Sequence, residues 1–393
     1  MTIAEKIAGF IESSSWIRKM FEEGARLKSI HGSDYVYDFS LGNPCIDPPN
    51  EFKRYLKSVV DNTSPGIHAY MPNTGYAHVR KAVAEFQGRE QGVALEEDDV
   101  IMTCGAAGGL NIILKAIMDP DDEVITPAPY FVEYGFYADN HGGRLVPVKT
   151  TDEFHLDLEA IEQAIGKKTK AVLINSPNNP TGQVYPEESL RALGDLLRAK
   201  SKAQGRTIYL ISDEPYRKIT YDGIEVPSVF QCYNNSVIAT SYSKDLSIPG
   251  ERIGYVAVCP DADEKEPLIQ GMALANRILG FVNAPALMQR VIGGLQGKHV
   301  NIESYARKRA TLCDGLSDFG YRFVRPAGAF YLFPQSPVSD EVAFVRALQE
   351  ERILAVPGSG FGAPGYFRLS FCVDDRTIAD ALPGFERAFK QFI

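Results

Sequence analysis

Short apolar runs rich in β-branched residues recur along the first two thirds of the chain. Seven such runs stand out: Val100–Met102, Glu123–Thr126, Arg144–Val148, Ala171–Asn175, Ile208–Ser212, Val237–Thr240 and Ile253–Val258. Segments with the apolar spacing of helices, such as Ala107–Ile117 and Glu187–Lys200, lie between most of them. Short strands that alternate with helices predict an α/β fold with a mostly parallel sheet covered by helices.

The pattern changes after Asn283. Long helical patterns such as Asn301–Leu316 replace the strand–helix alternation, and Gly328–Phe333 has the composition of a hairpin. We find no linker rich in Pro, Ser or Gly, no internal repeat and no low-complexity tract in the sequence. The pattern alone therefore indicates a second structural unit near the carboxyl end without marking its boundary.

Composition excludes several classes of protein. The 393 residues suffice for two domains, and 45% hydrophobic content supplies sizeable cores. A net charge of −9 argues against a nucleic-acid surface, no apolar stretch approaches the roughly 20 residues of a membrane span, and no secretory signal is visible. The six cysteines, at positions 45, 104, 232, 259, 313 and 372, form no CxxC pair. This scatter predicts free thiols in the cytoplasm and no metal site.

Polar clusters follow three neighbouring apolar runs. Asn175–Gly182 is a turn rich in Asn and Pro, Ser212–Tyr216 contains Asp213, and Ser241–Lys244 follows the next run. Loops that leave the carboxyl ends of parallel strands meet on one rim of the sheet, where ligands bind. We therefore expect Asn179, Asp213 with Tyr216, and Ser241 to Lys244 to lie together.

The stretch around Lys244 has the residue types of a phosphate site. Ser241, Ser243 and Arg252 offer hydrogen-bond donors to a dianion. An amine beside a phosphate site is what a pyridoxal phosphate Schiff base needs. Gly105–Gly109 also follows a strand and opens a helix, so its amides can approach a phosphate. Taken singly, the first stretch also fits a surface turn and the second a close-packed turn.

Together these motifs give the chain a family resemblance. The Asn-Pro-Thr-Gly of Asn179–Gly182, the Asp-x-x-Tyr of Asp213–Tyr216 and the Ser-x-Ser-Lys of Ser241–Lys244 resemble those of class I/II aminotransferases of pyridoxal phosphate fold type I. This superfamily includes the aspartate aminotransferases, and the match runs from Gly42 to Phe371. The resemblance implies a large domain (47–287) with a seven-stranded, mostly parallel sheet, and a smaller, discontinuous α+β domain (1–46 and 288–393).

The resemblance also implies a site for pyridoxal 5′-phosphate. The lysine at the position of Lys244 forms the Schiff base and later acts as general base, and the carboxylate of Asp213 faces the ring nitrogen. Asn179 and Tyr216 contact the phenolic oxygen. The other implied cofactor contacts are the ring-stacking Tyr130 and the phosphate ligands Gly105, Ala106, Ala107, Ser241, Ser243, Arg252 and, from a neighbouring subunit, Tyr70.

For the substrate, the resemblance implies that Arg368, Asn179 and the backbone of Gly42 hold a carboxylate. The expected reaction is ping-pong transamination between an L-amino acid and a 2-oxo acid in a cytoplasmic homodimer. Each residue also has a plainer interpretation. Asp213 fits a helix N-cap, Tyr130 a core aromatic, Tyr70 an interface loop and Arg368 a surface ion pair.

Two alternative functions remain at this point. The segment Ser241–Arg252 also resembles that of pyridoxal phosphate lyases and aminocyclopropane-carboxylate synthases, and a regulator with an aminotransferase-like sensing domain would be non-enzymatic. The substrate side chain is open as well. An aspartate-specific branch of the family has a lysine at the place of Ala107, and another has an arginine near, but out of step with, Arg277.

Overall fold

The computed structural model describes residues 2–12 and 16–393. The α-helices in these ranges, α1 to α13 in chain order, are Glu5–Glu12, Trp16–His31, Asn50–Val60, Ala77–Gln91, Gly105–Ile117, Glu133–Asn140, Leu158–Ala164, Glu187–Gln204, Lys265–Ile278, Ala286–Gly293, Ile302–Asp318, Glu341–Glu350 and Asp375–Lys390. The strands, β1 to β12, are Tyr37–Asp38, Val100–Thr103, Glu123–Ala128, Arg144–Lys149, Thr169–Asn175, Tyr209–Asp213, Ser236–Ser241, Gly254–Val258, Tyr331–Leu332, Ile353–Leu354, Val356–Pro357 and Phe367–Ser370.

The central sheet has seven strands in the order β2-β8-β7-β6-β5-β3-β4. Strands β7, β6, β5, β3 and β4 pair in parallel, and β8 runs antiparallel to both of its neighbours. Each of the seven apolar runs in the sequence coincides with one of these strands. The predicted α/β fold with a mostly parallel sheet is thereby confirmed.

Alternate residues of each central strand enter separate cores on the two faces of the sheet. In β5, Val172 and Ile174 pack in one core, and Ala171 and Leu173 pack in the other. Side chains of a strand point to opposite faces in turn, and helices cover both faces here. Both sets must therefore be apolar, and the strand appears in the sequence as a continuous apolar run.

Local sequence signals set the ends of the covering helices. Helix α8 begins with Glu187 and Glu188, whose charges favour the positive amino end of a helix. It ends at Gln204 and is capped by Gly205, which adopts φ +62° and donates its N–H to carbonyl groups of the last turn. The left-handed backbone conformation at this position favours glycine, because a residue with a side chain would be strained there.

A second core joins the two ends of the chain. Strand β1 pairs in parallel with β10, and β11, β12 and β9 form a small antiparallel sheet. Phe39 from the amino-terminal part packs in one cluster with Leu312, Phe367 and Phe385. This is the arrangement expected for a smaller, discontinuous unit.

Two details differ from the sequence-based expectation. The segment Gly328–Phe333 forms no hairpin, because β9 pairs with the distant β12. The expected boundary at residue 288 falls inside α10, whose Met288 and Val291 pack in a core of the central sheet. Val300 is the next buried apolar residue in the second core. We therefore propose that the large unit extends to about residue 299.

The described part of the chain contains no helix long and apolar enough to cross a membrane. All six cysteines are free, and Cys45 is the exposed one. No group of three or more potential metal-ligating side chains was found among the described residues.

Candidate active site

A cavity of about 290 Å³ opens at the carboxyl ends of β5, β6 and β7. Eleven residues singled out in the sequence line it: Gly42, Ala106, Ala107, Asn179, Asp213, Tyr216, Ser241, Ser243, Lys244, Arg252 and Arg368. They come from segments as far apart as residues 42 and 368, which only the tertiary structure brings together. The rim expected from three successive parallel strands is where the cavity lies.

Lys244 projects into this cavity from the loop after β7. Its Nζ donates a hydrogen bond to the main-chain oxygen of Gly42 over 2.8 Å. Burial lowers the pKa of Lys244 to about 8, and the positive charges of Arg368 and Arg252 act in the same direction. Burial is thus the main cause, with Arg252 a minor one. An amine with this pKa is partly neutral near pH 7 to 8, as a nucleophile or base must be.

Asp213 is the last residue of β6 and offers one free carboxylate oxygen. The Tyr134 hydroxyl donates to its Oδ2 over 2.6 Å, whereas its Oδ1 is buried without a partner. The side-chain amide of Asn175 donates to the Asp213 main-chain oxygen over 2.8 Å, which ties the ends of β5 and β6 together. Burial raises the pKa of Asp213 to about 7. The unpartnered oxygen suits a cationic N–H donor from a ligand.

Another part of the cavity lining has the features of a phosphate site. Helix α5 begins at Gly105, which adopts φ +74°, and no side chain caps it. A Cβ at Gly105 would lie 2.9 Å from Nη2 of Arg252, so the guanidinium closely approaches the first turn of the helix. The buried Ser241 and Ser243 add two hydroxyl groups. Free amides, a positive helix end and a guanidinium together favour a dianion.

Arg368, on β12, is buried and fixed by its surroundings. It donates from Nη1 to Oδ1 of Asn179 over 3.0 Å and from Nη2 to the main-chain oxygen of Ser40 over 2.6 Å. Its guanidinium carbon lies 4.6 Å from the ring centre of Tyr331 and 4.7 Å from that of Phe361. No acidic side chain pairs with it in the described residues, and its Nε lacks a partner. It is therefore not a surface ion pair.

Tyr216 shares a hydrogen bond with a residue that sequence reasoning missed. The hydroxyl groups of Tyr216 and Tyr331 lie 2.9 Å apart, and both side chains line the cavity. Tyr134, the partner of Asp213, was missed as well. In the sequence, Tyr134 and Tyr331 both look like core aromatics, since nothing in a single chain reveals where a buried hydroxyl finds its partner.

Three of the expected cofactor residues do not line this cavity. Gly105 is the first residue of α5 and directly precedes Ala106 and Ala107, which do line the cavity. Phe131 lines the cavity and Tyr130 does not. The main-chain N–H of Tyr130 donates a hydrogen bond to the main-chain oxygen of Phe361. Tyr70 is 91% exposed. Of these two sequence neighbours, Phe131 lines the cavity, and Tyr130, which was expected to stack on the cofactor ring, does not.

Comparisons with known proteins identify the family of this chain. The sequence profile of aminotransferase class I and II matches residues 35–384. The chain belongs to this family. A probable aspartate aminotransferase of Methanocaldococcus jannaschii is 31% identical over 88% of this chain and 91% of its own length. A crystal structure of an amino transferase from Eubacterium rectale is 42% identical, with a TM-score of 0.96 over 100% of this chain and 99% of that chain. Aspartate aminotransferase from Thermus thermophilus, solved with maleate, is 30% identical, with a TM-score of 0.85 over 95% and 96%.

The protein is thus a pyridoxal phosphate-dependent aminotransferase of fold type I, and the alternative of a lyase is not favoured. The residues present in the cavity fit the cofactor. The unpartnered Oδ1 of Asp213 can meet a protonated ring nitrogen, and the uncapped amino end of α5 can meet a phosphate. Lys244 supplies the amine on the wall of the same cavity.

Proposed function

We propose that this aminotransferase moves an amino group between an L-amino acid and a 2-oxo acid, with Lys244 as both cofactor attachment point and proton carrier. The observation that carries the proposal is the convergence in one cavity of the Lys244 amine, a buried carboxylate with a free oxygen and a buried, unpaired arginine. When bound, pyridoxal phosphate acts as an electron sink for the Cα–H bond of the amino acid. The other functions fall to the residues of the chain.

Asp213 keeps the ring nitrogen protonated through its free Oδ1, while Tyr134 holds the other oxygen in place. The amino end of α5, Ser241, Ser243 and Arg252 hold the phosphate. Phe131, on the cavity wall, would pack against the ring of the bound cofactor. We assign Tyr216 and Asn179 to the phenolic oxygen, since both line the cavity beside Lys244.

Arg368 holds the carboxylate of the amino acid. Its two hydrogen bonds and two aromatic neighbours fix the guanidinium plane before substrate arrives, which lowers the entropy cost of binding. Asn179 accepts a hydrogen bond from the same arginine and also lines the cavity, so it contributes both to the carboxylate site and to the cofactor site.

Lys244 moves the proton of the substrate. Because the Gly42 carbonyl accepts from Nζ, the amine stays beside the cavity when it is not bonded to the cofactor. A pKa of about 8 leaves a useful fraction of the amine neutral near physiological pH. A positioned general base of this kind contributes roughly 10²- to 10⁴-fold in rate.

Reduction with borohydride, followed by peptide mapping, tests the attachment point. We expect the stable label on Lys244 alone, and Lys244→Ala to lose the yellow colour and nearly all turnover. Lys170 is a matched control, because burial also lowers its pKa although it does not line the cavity. Lys170→Ala should bind cofactor and turn over normally. Label on any other lysine would overturn the assignment.

We also infer that a dicarboxylic amino acid is not the sole good substrate. A buried side-chain carboxylate needs a second cation. Within the described part of the chain, the cations on the cavity wall are Lys244, Arg252 and Arg368, and each already has a proposed role. Ala107 offers no charge, and Arg277 is exposed at the end of α9, outside this cavity.

A panel of twenty amino acids with 2-oxoglutarate, pyruvate and oxaloacetate tests this inference. We expect at least one neutral amino acid to reach a kcat/KM within about tenfold of the best acidic one, a difference of about 1.4 kcal/mol. An advantage of several orders of magnitude for aspartate and glutamate over every neutral substrate would contradict it. Arg277→Ala would then show whether that arginine supplies the missing cation.

The functional unit is proposed to be a homodimer in which Tyr70 reaches the neighbouring site, and the proposed location is the cytoplasm. The support for the dimer is that Tyr70 is almost fully exposed in the single chain although the family resemblance gives it a cofactor contact. The support for the location is the scatter of six cysteines without a CxxC pair.

A further inference from the structure

Tyr331 contacts several groups of the proposed site. Its hydroxyl lies 2.9 Å from the hydroxyl of Tyr216, and its ring centre lies 4.6 Å from the guanidinium carbon of Arg368. A Cβ at Gly42 would lie 1.9 Å from the same hydroxyl, so Tyr331 also rests directly on the Gly42 backbone. Gly42 in turn accepts the hydrogen bond of Lys244. Tyr331 is 2% exposed, so these contacts are buried.

The hydrogen bond between the hydroxyl groups of Tyr216 and Tyr331 is compatible with the proposed role of Tyr216 in one direction only. A phenol has a single proton to donate. If Tyr216 donates its proton to the phenolic oxygen of the cofactor, it can only accept from Tyr331. Burial raises the pKa of Tyr331 to about 12, so its hydroxyl retains the proton that it must donate. A hydroxyl that accepts a hydrogen bond becomes a better donor, because bonds in such a chain polarise one another.

The ring of Tyr331 acts on a second group. The guanidinium of Arg368 lies over the rings of Tyr331 and Phe361, and its carbon is 4.6 Å and 4.7 Å from the two ring centres. A guanidinium packed against two aromatic rings keeps its plane without an acidic partner. The ring thus orients the donors that face the substrate carboxylate.

We propose that Tyr331 is a positioning residue that sets both ends of the substrate site, its hydroxyl orienting Tyr216 toward the cofactor and its ring orienting Arg368 toward the substrate. The proposal rests on the proposed function, since it presumes the roles given there to Tyr216 and Arg368. It differs from a role in packing alone, because it assigns separate effects to the hydroxyl and to the ring.

Two substitutions separate these effects. Tyr331→Phe removes the hydroxyl and keeps the ring, whereas Tyr331→Leu removes both. The absorbance of the lysine-bound cofactor, titrated against pH, reports the hydrogen bonds to its phenolic oxygen. We expect the midpoint to rise by about half a pH unit or more in Tyr331→Phe, since Tyr216 becomes a weaker donor. The KM for the amino acid should stay within about twofold in Tyr331→Phe and rise by about tenfold in Tyr331→Leu.

Tyr305→Phe is the matched control. Tyr305 is buried in the same core, its ring lies 5.5 Å from that of Phe330, and its hydroxyl has no side-chain partner among the described residues. Removal of this hydroxyl should leave the titration and KM unchanged. Thermal unfolding of the cofactor-free variants checks that each one folds, and Tyr331→Met replaces the leucine variant if that one does not.

A wild-type midpoint in Tyr331→Phe, or an equal shift in Tyr305→Phe, would overturn the role of the hydroxyl. An unchanged KM in the variant without a ring would overturn the role of the ring. Failure of the proposed function looks different. In that case the wild-type protein itself would show no titrating absorbance, or the borohydride label would lie on another lysine.

Discussion

Asp213 and Asp245 both have a pKa that burial raises to about 7, but only Asp213 lines the cofactor cavity. Asp245 instead lines a small neighbouring cavity with Gln87 and Glu214. In an unfolded chain an aspartate has a pKa of about 3.9. Between pH 4 and 7 these two carboxyl groups therefore bind more protons in the folded, cofactor-free protein than in the unfolded chain. Their contribution to the free energy of unfolding falls as pH rises through this range, by up to about 1.4 kcal/mol per pH unit for each group.

Binding of the cofactor should remove the contribution of Asp213 alone. A positive ring nitrogen beside Oδ1 lowers the pKa of this carboxyl group, so the loaded protein no longer retains that proton. We expect urea unfolding at pH 5 to 7 to show a shallower pH slope for loaded than for cofactor-free protein. Asp213→Asn should give the shallow slope without cofactor.

Asp245→Asn serves as the control for this measurement. The asparagine retains an oxygen that can accept from the Leu246 N–H, a bond of 2.8 Å in the wild-type protein. Asp245→Asn should flatten the pH slope of the free energy of unfolding equally with and without cofactor, because Asp245 does not line the cofactor cavity. If Asp213→Asn and the wild-type protein gave the same slope without cofactor, the buried carboxyl group of Asp213 would not be titrating as proposed.

At the scale of elements, the central sheet is predictable because its strands are buried on both faces. A strand such as β5 has no polar face, so a continuous apolar run identifies it without reference to any other segment. The polar residues directly after such runs then fall on one rim by topology alone. For this reason Asp213 and Lys244 could be placed together before the structure was known.

The small antiparallel sheet could not be predicted in the same way. Strands β9 and β11 have two residues each, and β11 contains Pro357. The pairing of β9 with β12 joins residues far apart in the chain, which no local pattern shows. The core that helix α10 joins was also not predictable from the sequence, since its apolar face would suit either core. In the structure it packs in the core of the central sheet.

Within the site, the limit of prediction is the partner of each polar atom. Tyr130 and Phe131 are adjacent aromatics after one strand, and only the backbone path decides which one faces the cavity. Tyr134 and Tyr331 have the composition of core residues, but each places a hydroxyl against a functional side chain. Sequence types and spacing identify which residues are chemically able to act, and the fold decides which ones meet.

At the scale of the whole molecule, Tyr70 lies on a surface that a second copy of the chain is proposed to cover. The loop that carries it is fixed to the end of α9, since Asn73 donates to Val282 over 2.7 Å and accepts from Asn276 over 2.8 Å. Leu274 and Ile278 on the same helix are 48% and 56% exposed. We propose that these exposed apolar side chains and Tyr70 belong to that interface, where apolar and aromatic residues are common.

Hybrid dimers test whether the sites are shared. We expect Tyr70→Ala and Lys244→Ala chains each to have little activity alone. When they are mixed, unfolded and refolded together, one site of each hybrid contains the intact Lys244 of one chain and the Tyr70 of its partner. Random pairing should therefore restore about a quarter of wild-type activity per chain. Native mass spectrometry confirms that hybrids form.

The double variant mixed with wild-type chains is the control, because its hybrids contain no intact site. If Tyr70 instead served its own subunit, the first mixture would stay inactive and the second would retain one intact site per hybrid. Under the shared arrangement both mixtures should therefore have about a quarter of wild-type activity, which in the second comes only from wild-type homodimers. Under the other arrangement the first should have almost none and the second about a half. The contrast is largest when Tyr70→Ala alone has little activity.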